Sequence, residues 1–150
     1  MATRTRIEGL RELDAALANL PKATGKNVLK RVLVKAAQPI ESDAAAAAPE
    51  FAGLLRRDVK TGTRLTRRQA GLVRRQGKST VEVHVGVSDP AGLQNEFGNE
   101  HQRAQPFIRP SWDANKEGAL RSIGDDLGSE IERAAARLAR KAARRAAAGG

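Results

Sequence analysis

A chain of 150 residues with no cysteine, with 40% hydrophobic residues of which many are alanine, and with aromatics at only 3%, has the length of one domain but little bulk for a core. The missing cysteines exclude a disulfide framework and a thiolate metal centre, and no apolar run reaches the roughly 20 residues that a membrane helix needs. A formal net charge of +10 and a pI near 11.0 make a polyanion or an acidic protein surface an expected partner without choosing between them.

The start, Met1-Ala2-Thr3-Arg4-Thr5-Arg6, is not followed by the apolar core of a signal peptide, so a soluble protein that is not secreted by that route is expected. One domain is expected to divide into a helical part over 1–50, sheet and loops over 51–112, and a C-terminal helix with a basic tail over 113–150. In the first part, Leu10, Leu13, Leu17 and Leu20 recur at helical spacing and predict a short amphipathic helix over 7–20. Pro21 breaks it and suits the first turn of a second helix, whose apolar stripe runs through Val28, Leu29, Val32, Leu33, Ala36, Ala37 and Ile40. Pro39 within that stripe predicts a kink, and the alanines at 44–48 carry the helix on to Pro49.

From Phe51 the pattern changes. Arg56, Arg57, Lys60, Arg64, Arg67, Arg68, Arg74, Arg75 and Lys78 face a single acid, Asp58. Alternation at 58–61 suggests a strand, and residues 63–78 hold too few apolar side chains to pack, which predicts a long mobile basic loop. Residues 79–87 alternate cleanly, with Val81, Val83, Val85 and Val87 on one face and Glu82, His84 and Gly86 on the other, so a strand with a surface His84 is expected. Asp89-Pro90 reads as the turn that follows.

Residues 93–112 hold two of the three phenylalanines and the single tryptophan. Phe97, Phe107 and Trp112 are therefore the expected anchors of a core or an interface. Gly98 supplies a turn after Glu96-Phe97, and Pro106 and Pro110 fix the backbone on either side of Phe107-Ile108-Arg109, which makes this a shaped connector. Beyond it, Leu120, Ile123, Leu127, Ile131 and Leu138 predict a helix that continues as a basic, alanine-rich run expected to project or to lie on an acidic partner.

Catalytic patterns are missing: there is no Gly-x-Ser-x-Gly elbow, no phosphate loop and no His-Glu-x-x-His pair. Glu96, Glu100 and His101 are near one another in sequence, but on a glycine-interrupted turn with nothing expected to desolvate them or shift their pKa values. No enzyme, cofactor or metal is expected.

Ile7-Glu8-Gly9-Leu10-Arg11-Glu12-Leu13, the helix ending in Ala48-Pro49, Asn95-Glu96-Phe97-Gly98, and Ala104-Gln105-Pro106-Phe107-Ile108-Arg109-Pro110 before a C-terminal helix resemble, in order and spacing, the small neck or tail-completion proteins of long-tailed bacteriophages. The chain differs from the commoner pattern in having Asn99 where a Thr usually follows Glu-Phe-Gly, and Phe51-Ala52-Gly53 in place of a Thr-Gly pair. The resemblance implies an α+β domain, a small antiparallel sheet packed against two or three helices with a long basic loop and a C-terminal helix. It implies a virion component, assembled in the host cytoplasm, that forms a homo-oligomeric ring, a hexamer in expectation, at the head–tail junction.

Neck, tail-completion and tail-terminator roles stay open, with head-completion or connector proteins and tail-tube or terminator proteins as neighbours and no membrane. The motif and interface residues are then Glu96, Phe97, Gly98, Gln105, Pro106, Phe107, Arg109, Pro110 and Trp112, with Arg64, Arg67, Arg68, Arg74, Arg75 and Lys78 facing a partner or the DNA in the lumen. The alternative is a basic protein that binds nucleic acid without reading sequence.

Overall fold

A computed structural model of the protein describes residues 9–50, 54–72 and 80–149. Ile7, the side chain of Leu10, residues 51–53, Arg74, Arg75, Lys78 and Ser79 lie outside the described residues. Six helices and one two-stranded sheet make up the described chain: α1 (Leu10–Ala18), α2 (Lys22–Ala47), α3 (Leu54–Asp58), β1 (Lys60–Gly62), α4 (Arg67–Leu72), β2 (His84–Gly86), α5 (Pro90–Phe97) and α6 (Ile108–Ala148). The class is α+β at a coarse level, mostly helical, and with more helices than the two or three expected.

The longest elements, α2 and α6, form an antiparallel pair. Arg31 meets Glu130, Lys35 meets Asp126, and Asn115 donates to Asp43, so numbering rises along one helix as it falls along the other. Helical spacing puts Val28 and Val32 on the face of α2 that meets Leu127, Ile131 and Ala134 of α6, and Leu13, Leu17 and Leu20 from α1 and the turn after it close this cluster. Pro39 sits inside α2, which runs on to Ala47 although the proline cannot donate a bond to the carbonyl one turn earlier. The helix stops where Ala48 turns extended (ψ 133°), the conformation favoured by a residue that precedes proline. Pro21 is the cap before α2 rather than part of its first turn.

A second cluster gathers Ala44, Ala48, Leu55, Val59 and Phe107, with Val85, Val87, Ala91 and Ile108 packed on it. The sheet beside it is smaller than the alternation of 79–87 suggests, since among the described residues only His84–Gly86 pairs, antiparallel, with Lys60–Gly62. Alternation reports which side chains face inwards, and Val85 and Val87 do pack on the core. Strand length needs a partner, and β1 has three residues. The strand expected at 58–61 starts at Lys60, because Asp58 closes α3.

Within the stretch expected to be an unbroken loop, residues 67–72 form α4. Its start is a capping box: Thr66 Oγ1 accepts from the Gln69 amide (3.3 Å), and Gln69 Oε1 accepts from the Thr66 amide (3.0 Å). Gln69 Nε2 donates to the Val87 carbonyl (3.0 Å), which ties α4 to the segment leaving β2.

Candidate functional site: the α5–α6 hub

Asp89-Pro90, expected as a turn, begins a helix. Asp89 caps α5 by accepting from the Ala91 amide (2.8 Å), and Pro90 takes the first helical position, where a missing N–H costs nothing. Asp58 fixes the approach, since its Oδ2 accepts from the amides of Ser88 (2.6 Å) and Asp89 (2.8 Å). The segment that presents Glu96 and Phe97 is therefore the last turn of a helix.

Asn95 and Glu96 are both 4% exposed. The Asn95 side chain donates to the Ala91 carbonyl (2.8 Å) and accepts from Gln102 Nε2 (2.7 Å), and its own carbonyl accepts from the Gln105 amide (2.7 Å). Gly98 ends α5 at φ +74°, ψ 175°, a conformation close to one reserved for glycine. A Cβ there would lie 2.8 Å from the Ala104 amide nitrogen and 2.9 Å from the Gln102 carbonyl oxygen, both backbone atoms. The chain thus turns back on itself through residues 99–105 with no room for a side chain at Gly98.

That reversal brings Glu96 to the first turn of α6. One carboxylate oxygen accepts from the amides of Phe107 (2.8 Å) and Ile108 (2.9 Å), and the other from the amide (3.0 Å) and Nε (2.9 Å) of Arg109. Arg109 also donates from its guanidinium to the Glu96 carbonyl (2.7 Å) and lies 4.7 Å over the Phe97 ring. Free amides and the positive end of the helix dipole both favour an anion there. Burial by itself raises the Glu96 pKa, but the bonds from Ile108, Phe107 and Arg109 outweigh it and hold the carboxyl below its ordinary 4.5. Ser111 adds a bond from Oγ to the Phe107 carbonyl (2.6 Å).

Phe107 is fully buried and is the anchor the sequence suggests. Phe97 and Trp112 are not core anchors, being 59% and 54% exposed, and Leu93, one turn before Phe97 on α5, is equally open. Pro110 falls in the first turn of α6, which it tolerates, and Gln105 takes part through its backbone. Beside the exposed side chains runs a mostly apolar groove lined by Gln69, Val87, Leu93, Phe97 and Ile108.

The expectation that nothing shifts the Glu96 pKa is overturned, because the capping partners are 11 to 13 residues away and the turn closes on them. A carboxylate with four donors on its two oxygens is held ionised and is a poor proton acceptor. Glu100 and His101 approach each other at 3.2 Å in open solvent, away from this cage. His84 is half-buried and 3.8 Å from Glu82. Among the described residues no group of His, Asp and Glu is arranged to hold a metal ion, and no helix is long and apolar enough to cross a membrane.

Of the basic residues expected to face a partner, Arg64 precedes the capping box and Arg67 and Arg68 open α4. Sequence reasoning missed Asn95, Asp58 and the cap at Asp89. Only the last had a local signal, an Asp followed by Pro at the start of a helix. Searches of protein-family models, of curated proteins and of solved structures returned no match to this chain.

Proposed function

We propose that this protein is a structural subunit of a tailed-phage virion, not an enzyme, and that it forms a ring at the head–tail junction as a neck, tail-completion or tail-terminator component. The observation that carries this reading is the set of exposed apolar side chains, Leu93, Phe97 and Trp112, mounted on a hub made stiff by a buried carboxylate. Large exposed aromatics on a rigid support are what an interface uses as anchors, and they lose little side-chain entropy on docking.

A closed ring requires one surface of a subunit to meet a different surface of the next, with the rotation closing the set, here at six copies. Head-completion or connector proteins lie on one side of such a ring and tail-tube or terminator proteins on the other. The support is the sequence resemblance together with this surface. The mixed chemistry of the surface, aromatic with Arg109 beside it, suits a neighbour that carries both apolar and acidic groups.

Sedimentation of the wild type and of a Phe97→Ser, Trp112→Ser double variant tests the assembly. The reading expects rings for the first and folded single subunits for the second, because neither side chain contributes to the core. A phage lacking the protein should accumulate filled heads and separate tails by negative-stain microscopy. Normal particles with a block only in replication would contradict the proposal.

A further inference from the structure

Between Arg133 and Gly149 the chain has six cations and no acid, all on one helix. Arg133 is paired with Glu130 at 3.0 Å. The other five are Arg137, Arg140, Lys141, Arg144 and Arg145. At 3.6 residues per turn these five fall within an arc of about 140°, and the rest of the circumference from 139 to 148 is alanine. Ala134 is the last buried residue of α6, Leu138 is half-buried, and residues 139–149 are exposed throughout. The helix therefore carries a concentrated basic stripe past the last part of itself that contributes to the core.

We infer that this arm of α6 is a binding element for double-stranded DNA that grips the phosphate backbone without reading sequence. The inference stands on residues outside the α5–α6 hub and does not depend on the ring reading. Charge density argues for it: the stripe places five cations within about 12 Å of helix axis, while a DNA duplex offers one phosphate charge per about 1.7 Å. Shape argues the same way, since beyond Lys141, where α6 leaves Thr24, Asn27 and Arg31 of α2, the helix is faced only with alanine on its remaining sides and is slim enough for a major groove about 12 Å wide, whose two walls long arginines can reach. Four of the five cations are arginine, whose planar fork matches phosphate oxygens.

An acidic protein partner fits less well. Residues 139–148 contain no side chain larger than alanine apart from the cations, and so offer no knob to fill a protein pocket. A lipid surface would need large apolar residues on the opposite face, and there are none in that span. No Asn or Gln occurs between 133 and 148 to pair with adenine, and with the cations engaged on phosphate oxygens the binding is independent of sequence.

The test is fluorescence anisotropy of the full chain with a labelled DNA duplex of about 25 base pairs, in two unrelated sequences, over a salt series. Five phosphate contacts give a slope of log K against log salt of about −4.5, so affinity falls about 500-fold between about 50 and about 200 mM salt, equally for both sequences. Replacing Arg137, Arg140, Arg144 and Arg145 by alanine should keep the helical circular dichroism signal, because alanine favours helix, and should flatten the slope by about 3.6. A control variant, Arg64→Ser with Arg67→Ser and Arg68→Ser, should keep most of the slope. The inference is overturned if the arm variant binds as the wild type does, if the control loses the slope instead, or if poly-glutamate of matched charge competes as well as unlabelled duplex.

Discussion

Along the middle of α6, Ile123, Leu127, Ile131 and Ala134 lie against Val28 and Val32 of α2 and against Leu13 and Leu17 of α1, each adding a modest share of apolar burial. At the first turn of the same helix the support is concentrated instead. One buried carboxylate accepts three successive backbone amides, one phenyl ring fills the second core cluster, and one glycine leaves room for the reversal that brings them together. The pairing of α2 with α6 is distributed, so losses there should be gradual. The hub is convergent, so a single change should release several contacts at once.

The sharpest separation is expected from Phe107→Ala. Removing a ring with no exposed surface leaves a cavity among Ala44, Ala48, Leu55 and Val59 and should cost about 4 kcal/mol. Chemical denaturation read by circular dichroism measures it. Gly98→Ala comes next, at about 3 kcal/mol, since the new Cβ meets backbone atoms on both sides of the turn and the backbone conformation is itself unfavourable for alanine.

Glu96→Gln should cost about 2 kcal/mol, because the amide keeps the shape but turns one acceptor into a donor facing an amide. The pH dependence follows from the lowered pKa. A carboxyl whose folded value lies below 4.5 contributes its full stability above that pH and loses it as the pH falls through the folded value. Acidification from neutral pH should therefore lower the wild-type melting temperature more than that of Glu96→Gln. Asp126, which the Lys35 bond also holds below its ordinary value, contributes in the same direction to both proteins and cancels in the difference.

Arg31→Gln lies at the other extreme. The Arg31 side chain is half exposed at its 3.2 Å contact with Glu130, and an open pair of this kind contributes no more than about 1 kcal/mol. A loss above 2 kcal/mol at Arg31 would break the contrast between distributed and convergent support.

The distributed region was the more legible in sequence. The apolar stripe of α2 and the spacing of Ile123, Leu127 and Ile131 declare themselves within single helices, and the structure pairs them directly. Phe107 was legible too, as a large aromatic in a chain with few. The burial of Glu96 was not, because its partners depend on a reversal at Gly98 that no local periodicity encodes. For Phe97 and Trp112 the sequence left core and interface open, and the structure removes the core: aromatic character reports what a side chain gains on burial, not whether this chain supplies the cover. The Thr66-Gln69 box, in the segment dense with arginine, and the Asp89-Pro90 start, after the 79–87 stretch, were local signals that charge and turn chemistry obscured.

Amide hydrogen exchange of the wild type and Glu96→Gln, followed at the first turn and the middle of α6, tests convergent support most directly. In the wild type, the amides of Phe107, Ile108 and Arg109 should be protected although they have no partner within the helix, because Glu96 accepts all three. In Glu96→Gln that protection should fall together at all three, while the amides of Leu127, Ile131 and Ala134 remain slow. Unchanged exchange at Phe107, Ile108 and Arg109 in the variant would contradict the account.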